Sequence, residues 1–209
     1  AFAEESRPRV MTKEKDETLS IEYWITEKQQ VVLKEIKLNK IESKLQDEVK
    51  SLLVNKEGSP LNVVELESDL KKIVLHFQSL GYYFANISNL NADNLLVYDK
   101  SYTFVELRPE VVLDRQICYN EAIVNGNLKT QTEVIYREIN FAKGELVTPA
   151  KLESIRQKLT GLGLFSSLRI TPYMMFDDEK TCAKTNLVIQ VKEKDFGLST
   201  RGLTRSWER

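Results

Sequence analysis

The chain has 209 residues, of which 42% are hydrophobic and 29% are charged, so it can bury the core of one or two globular domains. Its 30 Lys and Arg residues balance 31 Asp and Glu residues, and the net charge of −1 gives no general attraction to nucleic acid. One His and two Cys are too few for a zinc-type site or for most His-dependent catalysis. The composition therefore predicts a binding protein without a cofactor or a nucleic-acid partner, and not an enzyme.

The first half has the pattern of a strand, two helices and two further strands. Alternation of β-branched residues over 31–38 predicts the first strand, and an apolar stripe at helical spacing predicts the helix after it. Asn62 is expected to cap a second helix that ends at Gly81. Residues 82–90 and 102–107 then predict two strands, with a polar turn between them.

The second half repeats this order. Residues 116–124 predict a strand, and Thr130 with Glu133 has the spacing of a capping box for a helix. Thr148 is expected to cap a second helix, with Pro149 at its first position, where the missing N–H is not needed. A closing hairpin is predicted over 164–176 and 185–192, around a charged turn at 177–180.

Glycines mark the same positions in both halves. Gly144 follows Gly58 by 86 positions, and Gly163 follows Gly81 by 82, which predicts an internal repeat of about 80 residues. Residues 18–25 have the pattern of a strand and fall about one repeat before 102–107. We therefore expect four segments. An N-terminal segment, 1–29, contains the possible last strand of a preceding unit. Two units, 30–112 and 113–195, follow, and 196–209 is the start of a further region.

The order of elements predicts an α+β fold for each unit, with a three-stranded mixed sheet covered on one face by two helices. The first and third strands should pair in parallel, which leaves the middle strand at an outer edge with unpaired backbone groups. Such an edge can bind an extended chain by strand addition. Pro172 argues against uninterrupted pairing in the second unit, so the edge at 83–89 is favoured. The candidate residues of the two edges are Phe84, Asn86, Ile87, Leu168, Ile170 and Tyr173.

The predicted topology also brings the two cysteines together. Cys118 opens the first strand of the second unit, Cys182 precedes its third strand, and these strands start at the same end of the sheet. We expect a disulfide bond between them; two independent reduced cysteines are the alternative.

The motifs of the second unit resemble those of a POTRA (polypeptide-transport-associated) domain. They comprise Ile123–Asn127, Lys129–Thr130, Val134–Glu138, Gly144 and Leu159–Phe165. The first unit shows a weaker version, with Gly81 and Tyr82 at the matching point but Asn39 and Lys40 where the family often has Gly-Asn.

The resemblance implies a tandem POTRA region of a BamA-like or TamA-like outer-membrane assembly factor. It implies a periplasmic location, attachment to the outer membrane through a C-terminal β-barrel, and unfolded outer-membrane proteins as clients, with possible accessory periplasmic or lipoprotein subunits. A two-partner secretion transporter that exports a passenger protein, and a cell-division scaffold with a POTRA-type domain, are the alternatives.

Overall fold

The fold is given by a computed structural model of the chain. It describes the backbone of 4–5, 9–13, 18–22 and 25–26, and both backbone and side chains of 30–175 and 182–195. The predicted turn at 177–180 and the predicted region 196–209 lie outside the described residues. Two compact units are present, one of Ala1–His76 with Ala85–Val112 and the other of Phe77–Phe84 with Leu113–Arg209. That 30–112 and 113–195 are the domains stays a prediction.

Short antiparallel pairs form the N-terminal part of the chain. Strand β1 (Glu4–Glu5) pairs with β4 (Ile25–Thr26), and β2 (Arg9–Lys13) pairs with β3 (Thr18–Glu22). The segment 18–25, expected to be one strand, thus contains β3 and the first residue of β4. That it completes a preceding unit stays a prediction.

The first unit continues with a mixed three-stranded sheet. Its elements are β5 (Val32–Ile36), α1 (Ser43–Leu52), α2 (Val63–Ser79), β6 (Asn86–Ile87), β7 (Leu96–Tyr98), β8 (Phe104–Leu107) and β9 (Val111–Val112). The strand order is β5-β8-β7, with β5 parallel and β7 antiparallel to β8. The topology is as predicted, but the second strand in chain order, which lies at the outer edge of the sheet, is β7 and not 82–90.

A buried asparagine explains why 82–90 lies elsewhere. The side chain of Asn89, 5% exposed, donates to the carbonyl of Arg108 and accepts from the N–H of Glu110. This holds β6 against β9 as a separate antiparallel pair, in which Ile87 faces Val111. The apolar alternation over 82–90 therefore belongs to the pair of β6 with β9 and not to a strand of the three-stranded sheet.

The second unit has the predicted order of elements. They are β10 (Ile117–Asn125), α3 (Thr132–Tyr136), α4 (Pro149–Gly161), β11 (Phe165–Met174) and β12 (Ala183–Glu193). Strand β12 lies in the middle of the sheet, parallel to β10 and antiparallel to β11. Its buried core joins residues of strands, of helices and of the segment before α4: Ile117, Ile135, Val147, Ile155, Leu159, Leu187 and Ile189.

The two long helices begin as the sequence predicts. The Asn62 side chain accepts from the N–H groups of Val64 and Glu65 at the start of α2. Thr148 directly precedes Pro149, the first residue of α4, and its hydroxyl accepts from the N–H of Lys151. Such side chains satisfy N–H groups that have no partner within the helix.

The predicted capping box of the second unit is wrong. Helix α3 has Gln131 at its N-cap, without a side-chain hydrogen bond, and Thr130 lies outside the helix. The N–H of Thr130 donates instead to the carboxylate of Glu193, at 2.6 Å. A partner far along the chain thus replaces the local one, Glu133.

The cysteines are joined in the structure. Cys118 and Cys182 form a disulfide bond with their Cα atoms 5.8 Å apart, across the start of the parallel pair β10 and β12. Among the described residues, no helix is long and apolar enough to cross a membrane.

Removing the disulfide should destabilise the second unit. We expect Cys118→Ser with Cys182→Ser to lower the free energy of unfolding by about 4 kcal/mol, because the bond closes a loop of about 65 residues in the unfolded chain. Urea unfolding monitored by circular dichroism measures this. A reducing agent should weaken the wild type in the same way and leave the variant unchanged; equal stability of both proteins under oxidising conditions would contradict the expectation.

Gly126 is required by a close approach as well as by its backbone angle. A Cβ atom there would overlap the carbonyl oxygen of Val191, and φ is +91°. Gly144 has a similar φ of +85°, but a Cβ atom there would meet nothing within 4 Å. The two positions share the backbone strain of a side chain at positive φ and differ in the available space.

This pair gives a matched test of steric overlap. We expect Gly126→Ala to lower the free energy of unfolding by about 2 kcal/mol more than Gly144→Ala, the range found for overpacked sites. Urea unfolding of the two variants in parallel measures the difference. Equal losses would show that the approach of Val191 does not constrain this loop.

Candidate strand-binding site

The outer edge of β7 carries backbone groups that face away from the sheet. The N–H of Asp99 donates to the carbonyl of Phe104 at 3.0 Å, which fixes the phase of the pairing with β8. Because backbone groups alternate in direction along an antiparallel pair, Val97 faces β8, while Leu96 and Tyr98 face the outer edge. Within the described residues, β7 pairs with β8 alone.

The turn between β7 and β8 holds this edge in place. The carboxylate of Asp99 accepts from the Ser101 hydroxyl and from the N–H groups of Phe104 and Thr103. These hydrogen bonds hold the pKa of Asp99 below its ordinary value, and the one from Ser101 has the largest effect. The ionised side chain therefore organises the turn at neutral pH.

An apolar cleft lies beside β7 and the start of α2. Its volume is about 590 Å³, and the side chains of Leu96 and Tyr98 form part of its wall, together with Val63 and Val64. Val64 is 87% exposed. A second cleft of about 380 Å³ continues along α2 and is lined by Glu67, Leu70, Lys71, Val74, Leu75 and Leu90. Exposed aliphatic residues therefore lie toward both ends of α2, with the exposed ion pair of Glu67 and Lys71 between them.

A buried carboxylate fixes the helix that forms this wall. Asp69, fully buried on α2, accepts from the N–H groups of Val54 and Asn55 and from the Asn55 side chain, each at 2.8–2.9 Å. The same Asn55 amide exchanges hydrogen bonds with the backbone of Asn62, at the cap of α2. Burial alone would raise the pKa of Asp69, but the hydrogen bonds from Asn55, Val54 and Lys72 outweigh it and lower that pKa.

The open face of the first sheet is covered by paired charges. Glu106 accepts from Lys37 at 2.7 Å and from Arg108 at 2.6 Å, and Lys34 lies 3.7 Å away. The hydrogen bonds from Lys37 and then Arg108 lower the pKa of Glu106 to about 2. Paired charges retain water, so this face is a poorer place for an apolar chain than the edge and its clefts.

The second unit presents a longer edge at β11. The N–H of Met175 donates to the carbonyl of Lys184, so in the same register Leu168 and Ile170 direct their backbone groups to the outside. The side chain of Ile170 is only 7% exposed and packs into the core. Tyr173 has the opposite arrangement: its backbone pairs with β12, while its side chain is 62% exposed.

The candidates at 83–89 do not lie on a free edge of a three-stranded sheet. Asn86 and Ile87 form β6 and pair with β9, and the Ile87 side chain is 5% exposed. Phe84, 37% exposed, packs edge-to-face against Tyr83. Binding by these residues stays a prediction, but within the described residues the free outer edge of the first three-stranded sheet is β7.

Sequence reasoning missed Leu96, Tyr98 and the exposed aliphatic residues of α2. One signal was present: Val64 and Leu75 are apolar but fall outside the stripe of α2 that faces the core, which includes Leu66, Ile73 and Phe77. Apolar residues on both faces of a helix indicate a second contact surface. No group of three His, Cys, Asp or Glu side chains in the described part of the chain could hold a metal ion.

Loss of the Asp69 carboxylate should destabilise α2. We expect Asp69→Asn to lower the free energy of unfolding by about 2 kcal/mol, because an amide cannot accept from all of these buried donors. The native pKa of Asp69 lies below its unfolded value, so its stabilisation is complete above about pH 4 and is lost as the pH falls through the native pKa.

Urea unfolding between pH 2 and pH 7 measures both effects. Asp69→Asn should remove part of the loss of stability on acidification. Glu67→Gln is the control, because Glu67 lies on the same helix but is exposed, paired only with Lys71. An equal effect of both substitutions would argue against the buried network.

A family model matches the second unit. Residues 119–194 match the POTRA family, described as "Surface antigen variable number repeat". The match runs from β10 to the end of β12 and includes the loop that contains Gly126.

Two curated relatives are similar over a larger part of the chain. "Outer membrane protein assembly factor BamA" of Nitratidesulfovibrio vulgaris is 26% identical over 141 residues, 66% of this chain and 16% of the relative. The protein of the same name from Neorickettsia risticii is 22% identical over 149 residues, 71% of this chain and 18% of the relative. The chain thus spans less than a fifth of the length of these relatives.

Solved structures share the fold. BamA from Haemophilus ducreyi lacking POTRA domains 1–3 is 18% identical, with a TM-score of 0.62 over 78% of this chain and 29% of that one. BamA POTRA3-5 from Haemophilus influenzae is 13% identical, with a TM-score of 0.57 over 91% of this chain and 72% of that one. Residues 119–194 therefore match the POTRA family, and the chain shares the fold of the BamA POTRA structures.

Proposed function

We propose that this chain is the periplasmic part of an outer-membrane protein assembly factor and binds extended segments of unfolded outer-membrane proteins. The name of the two BamA relatives, which contains both the outer membrane and protein assembly, supports the process and the membrane concerned. A β-barrel after the chain and accessory periplasmic or lipoprotein subunits belong to the same proposal.

The observation that carries the proposal is the edge of β7 beside the apolar wall of α2. Leu96 and Tyr98 offer outward backbone groups, and their side chains line a cleft shared with α2. From Val64 to Leu75 the helix rises about 17 Å. A strand of five residues has about the same length. An added strand can therefore pair with β7 while its side chains contact the exposed residues of α2.

This geometry favours a particular class of client. Backbone hydrogen bonds do not depend on the client sequence, so one edge can accept many chains. Alternate side chains of an added strand point to the same face, and the clefts on the face toward α2 are lined mainly by apolar side chains, together with Glu67 and Lys71. The preferred client is an extended segment with alternating apolar residues, which is the pattern of strands in membrane β-barrels.

A proline substitution at the edge separates backbone pairing from side-chain contact. We expect Leu96→Pro to weaken binding about five-fold, because it removes one outward N–H while the bonds between β7 and β8 stay in place. Leu96→Val keeps that N–H and should bind nearly as well as the wild type. Fluorescence anisotropy with a labelled, urea-denatured outer-membrane porin, diluted into buffer with the purified chain, measures the affinity.

The position of the client is tested in the same mixture. A photo-crosslinking amino acid in place of Val64 should capture the porin, and Leu96→Pro should reduce the yield. The same group in place of Leu128, which is 93% exposed in the second unit, is the control. Equal binding by the Leu96→Pro and Leu96→Val proteins, or equal capture from both sites, would refute binding at β7.

A further inference from the structure

Strand β11 is a long edge with little protection by charge. It has ten residues and, in the part of the chain that the structure describes, pairs with β12 alone. Arg169 is its single charged residue. Proteins usually keep such edges from pairing with one another by means of charges, bulges or prolines. Here a bulge lies near the start, between Phe165 and Ser167, and leaves the rest of the strand regular.

Pro172 lies where its missing N–H affects only the outer edge. The register pairs Thr171 with Val188 and Tyr173 with Asn186, in phase with the hydrogen bond from Met175 to β12. These positions direct their backbone groups toward β12, and the positions between them face outward. Pro172 therefore costs the sheet no hydrogen bond, but it removes one donor from the outer edge.

The outer edge is complementary to a second copy of itself. In the antiparallel register that aligns 168–174 with the same stretch of another copy, Ile170 lies opposite Pro172. The same register places Thr171 opposite Thr171, and Arg169 opposite the exposed ring of Tyr173. Pairs of threonines, and a cation beside an aromatic ring, are favourable neighbours. No like charges meet, so charge does not prevent this pairing.

The symmetry of such a dimer doubles the effect of the proline. Ile170 of each copy lies opposite Pro172 of the other, so one proline in the sequence removes two hydrogen bonds from the interface. At the ordinary strength of a protein hydrogen bond, two missing bonds weaken association about thirty-fold. A strand from a different protein would lose only one bond at this position.

We propose that the outer edge of β11 is a strand-pairing surface whose latent partner is β11 of a second copy, and that Pro172 prevents this pairing. The residue leaves the outward groups of Leu168 and Ile170 in place. Pro172 thereby weakens pairing between two copies, which lose two hydrogen bonds, more than pairing with a strand of another protein, which loses one. This proposal does not depend on binding at β7.

Restoring the donor tests the proposal. We expect Pro172→Val to lower the dimer dissociation constant about thirty-fold in sedimentation equilibrium, relative to the wild type. Hydrogen exchange should show protection of the Leu168 and Ile170 amides that increases with protein concentration. Ser167→Val introduces the same residue on β11 outside the aligned stretch 168–174, where the backbone faces β12, and should leave association unchanged.

Two further variants make the outcome decisive. Pro172→Val combined with Met174→Pro removes another outward N–H and should return the chain toward the monomer. Pro172→Ala restores the N–H with a smaller side chain and replaces Pro172→Val if circular dichroism shows that the latter does not fold. Association of a folded Pro172 variant no stronger than that of the wild type, or association of Ser167→Val as strong as that of Pro172→Val, would overturn the proposal.

Discussion

The parallel pairing of the first and third strands in each unit is the constraint on which the rest of the structure depends. A parallel pair needs a long crossover, which both units build from their two helices. The third strand then lies in the middle of the sheet, so the remaining strand must lie at the outside. The free edges of β7 and β11 are thus a consequence of the chain topology, and they follow without any special residue at the edge itself.

The same crossover closes the opposite edge. In the first unit, the N–H of Gly58 donates to the carbonyl of Leu33, and in the second, that of Gly144 donates to Tyr119, both at 2.7 Å. Gly144 follows Gly58 by 86 positions, and Tyr119 follows Leu33 by the same number. The bulges in β5 and β10, which begin after Leu33 and Tyr119, are also 86 positions apart. The connection between the helices therefore covers one side of each sheet in the same way. In each described three-stranded sheet, the outer edge formed by β7 or β11 is the one left open for strand addition.

Local and repeated features could be predicted from the sequence, and features set by distant partners could not. Asn62 and Thr148 cap the helices they precede, because the cap needs only N–H groups two or three residues away. Thr130 failed as a cap because its N–H is bound by Glu193, 63 residues along the chain. The edge at 83–89 failed for a similar reason, since the Asn89 amide binds the segment before β9. In each case a buried or charged side chain from far away outweighed the local pattern.

The two edges differ in what controls their partners. At β7 the pairing surface is short, and apolar side chains of α2 stand beside it, so selectivity there depends on the side chains of the added strand. At β11 the pairing surface is long, and a proline interrupts the row of outward donors, so selectivity there depends on the backbone. A short edge with an apolar wall suits weak binding of many amphipathic strands. A long edge without an interruption can pair with its own copy over many hydrogen bonds, and in such a pair each residue acts in both copies. The interruption is therefore needed where the strand is long and is not needed where it is short.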